Sequence, residues 1–149
     1  MANKILAVAS AGGHWVQLLR LRPAFEGNEV RYVSTNSGLA NGVLPDRLYV
    51  VRDASMWDKL GLVVMACQIG WIILRYRPDV IVSTGAAPGF FAVVMGRLLG
   101  ARTIWIDSVA NAEELSLAGR KVRRWAHHWF TQWPGLAKEG GPSYIGSVL

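Results

Sequence analysis

The segment "PDVIVSTGAAPGFFAVVMGRLLGARTIWID", residues 78–107, decides the fold class of this chain. It begins with an apolar, β-branched run over 78–85 that is typical of a strand, and Gly85 closes that run. Residues 88–100 begin with Pro and end with Gly, a pattern that favours a helix. Residues 102–107 predict another strand. This order predicts a strand–helix–strand unit with parallel strands.

The same alternation continues in both directions along the chain. We predict strands over 4–9, 29–35, 47–51 and 128–133, a helix over 14–25 that Pro23 ends or bends, a loop over 36–46, a long apolar segment over 56–76 and a basic amphipathic helix over 113–126. The tail 137–149 is predicted to be linker-like. Together these elements predict one α/β domain over 1–149, a Rossmann-like parallel sheet with helices on both faces.

Composition limits the class of partner. The chain has 149 residues, a net charge of +6 and a pI near 10, which suggests an anionic partner such as nucleic acid, phospholipid or a phosphorylated substrate. An ordinary basic soluble protein is the alternative. The single Cys67 excludes an internal disulfide framework and a cysteine-based metal site. The start "MANKILAVAS" lacks the longer apolar run of a secretory signal and fits a first strand better.

The predicted sheet places a candidate site at the carboxyl ends of its strands, where open α/β sheets bind ligands. Small, polar or glycine residues follow several strands there: Ser10, Gly12, Gly13, His14, Thr84, Gly85, Asp107, Ser108 and Asn111. The glycines of "SAGGH" precede a helix, an arrangement suited to anions. Because the loop lacks both GxGxxG and the Walker A pattern, a dinucleotide or ATP site is not predicted. The alternative is a tight turn in which His14 only packs.

A possible membrane contact lies between Lys59 and Arg75, which enclose 15 uncharged residues. A spanning helix needs about 20 such residues, so a buried core helix and a helix at the bilayer surface compete with spanning. Trp57 and Trp71 lie where interfacial anchors would be placed. Lys59 and Arg75 are candidate contacts to lipid headgroups. A second group of candidate lipid contacts is the basic residues Arg120, Lys121, Arg123 and Arg124. For this second group an ordinary solvated helix face is the alternative.

Four segments carry a resemblance to a known family: "SAGGH" at 10–14, and residues 77–108, 118–136 and 144–149. They resemble the acceptor-side half of two-subunit glycosyltransferases in polysaccharide and lipid-linked oligosaccharide assembly, whose bacterial members are the PssD-type exopolysaccharide proteins. The chain is also similar to the membrane-anchoring subunit of the dolichol-pathway UDP-N-acetylglucosamine transferase. A third similarity is to the N-terminal domain of MurG-type GT-B enzymes.

This resemblance implies a specific division of labour. In a GT-B enzyme one Rossmann-like domain binds the acceptor and a second binds the nucleotide sugar, so a one-domain chain would need a separate donor-binding subunit, PssE-like, to hold the UDP-sugar. The implied acceptor is a polyprenyl-diphosphate-linked sugar at the cytoplasmic face of the inner (plasma) membrane, in exopolysaccharide or capsule synthesis. The chain would be inactive or nearly so without its partner, and no cofactor is implied.

The resemblance also assigns roles to individual residues. Gly12, Gly13 and His14 would lie near the acceptor diphosphate or the reacting hydroxyl, and Thr84 and Gly85 would form a second loop of the cleft. Asp107 and Ser108 stand where the family has an acidic residue and an amide, but "DSVANAEEL" departs from the family motif there, which puts the role of Asn111 in doubt.

The implied chemistry is displacement at an anomeric carbon with a base that removes the acceptor proton. His14 is the first candidate for this base, since imidazole accepts a proton near neutral pH. Asp107 is the second candidate, with a helix-capping carboxylate as its alternative. The adjacent His127 and His128 have no cysteine partners, so no metal site is predicted.

The sequence also bears on two other classes of function. A nucleic-acid-binding or nucleotide-binding Rossmann module is disfavoured, because the second strand ends in Ser34, Thr35 and Asn36 rather than in an acidic residue that could bind a ribose. We therefore expect no nucleic-acid partner. A non-catalytic membrane scaffold that only recruits the donor subunit is the remaining alternative.

Overall fold

The computed structural model describes residues 2–40 and 43–148. Within them lies one sheet of seven parallel strands in the order β3-β2-β1-β4-β5-β6-β7. Its strands are β1 (Lys4–Ala9), β2 (Glu29–Ser34), β3 (Leu48–Val50), β4 (Val80–Gly85), β5 (Arg102–Ile106), β6 (His128–Thr131) and β7 (Ser143–Tyr144). Rossmann folds share this strand order. Strands are added on one side of β1 up to β3 and on its other side from β4 onward, so the order of addition reverses between β1 and β4. The α/β fold class is therefore confirmed.

Four α-helices join the strands: α1 (Gly13–Arg20), α2 (Lys59–Tyr76), α3 (Ala86–Leu98) and α4 (Leu117–Lys121). Short 3-10 turns occupy Arg22–Phe25, Ser37–Ala40, Pro45–Arg47, Val122–Arg124 and Pro134–Leu136. The predicted loop over 36–46 corresponds to two of these turns, and its residues 41–42 lie outside the described part of the chain.

Both faces of the sheet carry an apolar core. On one face α2 and α3 cover β1 and β4, with Leu6, Met65 and Ile81 in one buried cluster. On the other face α1 contributes Trp15 and Leu18 to a second cluster. The alternating side chains of each strand supply both clusters, which explains the nearly continuous apolar runs in the strand sequences.

The helix predicted over 14–25 is shorter than expected. It ends at Arg20, and the chain continues as the 3-10 turn Arg22–Phe25. Pro23 lacks the backbone N–H that a continued helix needs and disfavours helical backbone at the residue before it. The prediction that this proline ends the helix is confirmed.

The long basic helix predicted over 113–126 is wrong. Only Leu117–Lys121 is α-helical, and Val122–Arg124 follows as a 3-10 turn. Ser116 caps α4, because its Oγ accepts the N–H of Gly119 at 2.8 Å. Because a capping residue has non-helical backbone, the helix begins only after Ser116. This start is four residues later than the predicted one at residue 113.

The described part of the tail 137–149 does not behave as a free linker. Its residues Ser143 and Tyr144 pair with β6 as the edge strand β7. Val148 is held through both of its backbone groups, since its N–H donates to Gln132 Oε1 at 2.9 Å and its carbonyl accepts from Arg20 Nη1 at 3.0 Å. Tertiary hydrogen bonds therefore order a segment that was predicted to be linker-like.

Candidate functional site

The first turn of α1 meets the end of β4 at the point where the strand order reverses. His14 Nδ1 lies 3.1 Å from the carbonyl oxygen of Thr84, and Thr84 Oγ1 donates to the carbonyl of His14 at 2.6 Å. Because a carbonyl can only accept, Nδ1 carries the ring hydrogen in this contact. Nε2 is then the ring nitrogen with a lone pair, the tautomer that a general base requires.

Gly85 makes this contact sterically feasible. Its φ is +138°, and a Cβ at this position would lie 2.6 Å from His14 Nδ1. The next residue, Ala86, has a φ of +68°, which is left-handed backbone in a residue other than glycine. Strained backbone of this kind persists where the surrounding structure enforces it, often at functional sites.

The predicted glycine loop leaves open space in front of α1. Gly12 has a φ of +87° and directly precedes the helix, which has no side-chain cap. A Cβ on Gly12 or on Gly13 would meet no atom within 4 Å. The first-turn N–H groups are therefore accessible to an anion. Ser10 is half-buried before this loop, and Ala11 N–H donates to Thr35 Oγ1 at 3.2 Å.

A cleft of about 450 Å³ lies beside His14 at the carboxyl edge of the sheet. It is lined by His14, Met56, Leu62, Ala86, Ala87, Phe90, Phe91, Ser108, Ala110, Asn111, Ser116, Leu117, Ala118 and Lys121. A mostly apolar wall with a few polar groups is typical of a site for a small molecule.

The structure brings together His14, Ser108, Asn111 and Lys121 from the sequence-predicted residues, since all four line this cleft. Sequence reasoning missed its apolar wall, above all Phe90, Phe91 and Leu117. A signal existed for the first two, because they lie in the second turn of a helix that begins directly after Gly85 at the sheet edge.

Asp107 is placed differently from His14. It is buried and does not line the cleft. Its Oδ1 accepts from Trp105 Nε1 at 3.1 Å and from Ser116 Oγ at 2.5 Å. Its Oδ2 accepts from Ser116 N at 3.0 Å and from Asn111 Nδ2 at 3.3 Å. Four donors occupy this carboxylate, a geometry that favours anchoring of the 108–116 loop over proton transfer.

The candidate membrane residues on α2 and just before it are all exposed. Trp57 is 92% exposed and Trp71 is 59% exposed, and Lys59 and Arg75 also face solvent. Between them runs an exposed stripe, which we call the α2 outer face, formed by Leu60, Val63, Cys67, Trp71 and Leu74. Among the described residues, α2 has the length and apolar character to cross a membrane, and 33% of it is buried within the fold.

The four basic residues near α4 do not share one surface. Lys121 lines the cleft, whereas Arg120 and Arg123 line a separate groove with Trp129 and Lys138. Arg120 also lies 3.7 Å from the Glu114 carboxylate. Arg124 is exposed at the end of the 3-10 turn. Of the four, Lys121 is therefore the one that lines the cleft.

Residues 2–40 and 43–148 contain no group of three or more His, Cys, Asp or Glu side chains that could hold a metal ion.

No model of a known protein family matches the chain. In sequence it is similar to the mouse UDP-N-acetylglucosamine transferase subunit ALG14, with 26% identity over 85 residues, which is 52% of this chain and 39% of the mouse protein. In structure it is similar to MurG of Acinetobacter baumannii, with a TM-score of 0.79 and 14% identity over 99% of this chain and 46% of MurG.

Two other solved structures share the fold. One is a UDP-N-acetylglucosamine 2-epimerase from Rickettsia bellii, with a TM-score of 0.71 and 11% identity over 99% of this chain and 46% of that one. The other is a glycosyltransferase from Rickettsia africae, with a TM-score of 0.58 and 15% identity over 82% of this chain and 34% of that one.

The chain spans less than half the length of each of these proteins. Its fold matches the N-terminal half of MurG, a GT-B enzyme. The chain is therefore glycosyltransferase-like both in its weak sequence similarity to ALG14 and in its structural similarity to MurG.

Proposed function

We propose that this chain is the acceptor- and membrane-binding subunit of a glycosyltransferase that moves a sugar from a UDP-sugar to a polyprenyl-diphosphate-linked acceptor. The observation that carries the proposal is His14, held by Thr84 in the tautomer of a base at the edge of an apolar cleft. Because epimerases share the fold, the proposal rests on this site and on the sequence similarity to a transferase subunit.

In the proposed reaction His14 Nε2 removes the proton of the acceptor hydroxyl. The hydroxyl oxygen forms a bond to the anomeric carbon of the donor sugar, and the bond from that carbon to the UDP oxygen breaks, with the electron pair leaving on UDP. Thr84 fixes the ring during this step through its contacts to His14. A positioned base of this kind contributes about 10²–10⁴-fold to the rate.

The acceptor diphosphate is proposed to lie between α1 and Lys121. The open N–H groups of the first turn of α1 and the positive end of its helix dipole favour an anion there. Gly12 and Gly13 allow close approach to this backbone. Lys121, which also lines the cleft, supplies a full positive charge, and Ser108 and Asn111 add polar contacts on its wall.

The polyprenyl chain is proposed to reach the cleft from the α2 outer face. Met56 and Leu62 at the start of α2 line the cleft, whereas Leu60 and Val63 belong to the exposed stripe. The cleft and the outer face therefore both draw residues from the start of α2. Since charged residues at both ends of α2, Lys59 and Arg75, can meet anionic headgroups, we place this face on the cytoplasmic surface of the inner membrane.

On this proposal α2 lies along the bilayer surface instead of crossing it. The side of α2 opposite to the stripe is part of the core, with Met65, Ile69 and Ile72 buried against the sheet. A spanning helix would have to expose these residues and uncover β1 and β4. The exposed half of the helix alone suits an interfacial position.

The donor half is proposed to come from a PssE-like partner chain, which would hold the UDP-sugar. Support comes from the similarity to a protein that is named a subunit of a UDP-N-acetylglucosamine transferase. We propose a role in exopolysaccharide or capsule synthesis.

The test is His14→Ala in the reconstituted pair of subunits, with a radiolabelled UDP-sugar and a polyprenyl-diphosphate acceptor. We expect turnover to fall about 10²–10⁴-fold because the base is lost, while the pair still co-purifies. His128→Ala is the matched control, since His128 is an exposed histidine at the start of β6 outside the cleft. Unchanged turnover in His14→Ala would instead favour a non-catalytic scaffold that recruits the donor subunit.

A further inference from the structure

Two buried glutamines connect the wall of the cleft to the C-terminal segment. Gln17 of α1 and Gln132, directly after β6, are 5% and 3% exposed. Gln132 Nε2 donates to Gln17 Oε1 at 2.6 Å and to the carbonyl of Asp107 at 2.9 Å. Neither glutamine lines the cleft. Their amides therefore act on neighbouring residues and not on a ligand.

On the cleft side, Gln17 holds the segment that follows β5. Its Nε2 donates to Ser108 Oγ at 3.1 Å, and its Oε1 accepts the N–H of Val109 at 3.1 Å. Ser108 and Ala110 line the cleft. Because a backbone N–H can only donate, the contact with Val109 also fixes which end of the Gln17 amide is oxygen.

On the other side, Gln132 holds the C-terminal segment. Its Oε1 accepts the N–H of Val148 at 2.9 Å, which fixes the orientation of this amide in the same way. The Val148 carbonyl accepts from Arg20 Nη1 at 3.0 Å. The side chain of Ile145 in the same segment is 79% exposed, so hydrogen bonds, more than apolar burial, seat this part of the chain.

We propose that Gln17 and Gln132 are positioning residues for the acceptor, and that they couple the seating of Val148 to the geometry of the Ser108–Ala110 wall. This inference rests on the proposed function. An unpaired buried amide is costly, so the two glutamines keep one joint orientation while all their partners are present. When Val148 leaves, Gln132 loses a donor, and the Gln17 amide and the wall of the cleft shift with it.

The kinetic test uses Gln17→Met and Gln132→Met in the reconstituted pair, since methionine keeps the volume and removes the amide. We expect the acceptor KM to rise about tenfold for Gln17→Met and about threefold for Gln132→Met, from the loss of hydrogen bonds that shape the site. The KM for the UDP-sugar and kcat at saturating acceptor stay within about twofold. Gln68→Met is the matched control, because Gln68 also accepts a backbone N–H, that of Arg52, but lies outside the cleft.

If Gln17 and Gln132 only stabilise the fold, the kinetic constants of the variants change in a different way. Partial unfolding lowers kcat through the loss of active protein and leaves both KM values unchanged, and that outcome would overturn the inference. If a methionine variant does not fold, Val148→Pro replaces it. Proline removes the N–H that Gln132 accepts and leaves both glutamines in place, and the same rise in the acceptor KM is expected.

Amide hydrogen exchange on the chain by itself separates this inference from the proposed function. In Gln132→Met we expect faster exchange at Val148, its direct partner, and also at Val109, which it reaches only through Gln17. Unchanged exchange at Val109 would refute the coupling even in an active enzyme. Absence of sugar transfer by the wild-type pair would refute the proposed function, while the exchange data would still decide the coupling.

Discussion

At the scale of single residues, the orientation of His14 depends on an atom that Gly85 does not have. Two hydrogen bonds hold His14 against Thr84. They form because no side chain at position 85 occupies the space beside the imidazole. Gly85 also has a φ of +138°, a backbone conformation that residues with a side chain rarely adopt.

Gly85→Ala is therefore expected to damage the site more than the fold. The added Cβ would lie 2.6 Å from His14 Nδ1 and would place alanine at a φ of +138°. We expect a loss of about 1–3 kcal/mol in the free energy of unfolding from the backbone strain. Sugar transfer should fall by about 10²-fold, because small displacements of a catalytic group are costly.

Denaturant unfolding and steady-state turnover measure the two effects. Gly13→Ala is the control for stability, because a Cβ there meets no atom within 4 Å and its φ is not positive. Its free energy of unfolding should equal that of the wild type or exceed it by up to about 1 kcal/mol. Full turnover in Gly85→Ala would contradict the role assigned to His14.

At the scale of secondary-structure elements, α2 has two faces with different roles. Met65, Ile69 and Ile72 pack into the core, while the α2 outer face is exposed. The continuous apolar sequence of this helix obscures the division, because both faces are hydrophobic. Only the position of the sheet shows which residues are available for a partner or a bilayer.

The double variant Leu60→Asp and Trp71→Asp tests the outer face. Leu60 is 72% exposed and Trp71 is 59% exposed, so the substitutions should leave the melting temperature nearly unchanged. Binding to phosphatidylglycerol-containing vesicles should fall at least about tenfold, because inserting one large apolar side chain contributes about 1.5–3 kcal/mol. Co-sedimentation with the vesicles measures this.

Leu98→Asp is the matched control for vesicle binding. Leu98 is a leucine of α3 with 69% exposure and does not belong to the α2 outer face. It should bind vesicles like the wild type. Equal vesicle binding by the double variant would rule out the proposed interfacial position of α2.

The connection between β5 and β6 contains a titratable contact. Thr103 N–H donates to His127 Nδ1 at 3.0 Å, so this nitrogen must be unprotonated in the fold. Desolvation, followed by the positive charges of Arg97, Arg102 and His128, lowers the pKa of His127 below its usual 6.5. The unfolded chain therefore binds a proton at this residue more readily than the folded chain does.

The free energy of unfolding should accordingly depend on pH in one direction. The contribution of His127 is complete above pH 6.5 and decreases as the pH falls through the lowered pKa. Urea unfolding at pH 7.5 and pH 5 measures this decrease. The decrease in the free energy of unfolding between the two pH values should become smaller in His127→Gln and persist in His128→Gln. A wild-type stability that rises on acidification, with the rise lost in His127→Gln, would contradict this prediction.

At the scale of the whole molecule, the sheet presents His14 and its cleft at the carboxyl ends of its strands, and on the proposed function the donor is held by the partner chain. We therefore expect the chain alone to show no saturable binding of UDP-sugars at millimolar concentration in calorimetry. The reconstituted pair should bind them within the usual micromolar to millimolar range of enzyme substrates. The His14→Ala pair should bind donor as the wild-type pair does. Tight donor binding with turnover by the chain alone would refute the division into two subunits.

The sequence by itself determined the class of fold and the edge at which a ligand would bind. Pro and Gly at the ends of elements and the apolar runs of buried strands are local signals, readable within windows of a few residues. The alternation of strands and helices then predicts a parallel sheet, and the loops that follow its strands share one edge. His14, Ser108 and Asn111 could be named for the cleft on these grounds, whereas Lys121 was predicted as a lipid contact and only the structure places it in the cleft lining.

Only the tertiary structure decided which of these residues meet. His14 and Thr84 are 70 residues apart, and Gln17 and Gln132 are 115 apart. The ordering of the tail depends on another distant contact, between Arg20 and Val148, which are 128 residues apart. The donors around Asp107 and the cap of α4 come from nearby residues, and the tertiary structure decides only that this carboxylate is buried. Local sequence encodes the preference of each segment, whereas the packing of the whole chain decides which polar groups become buried and must find partners.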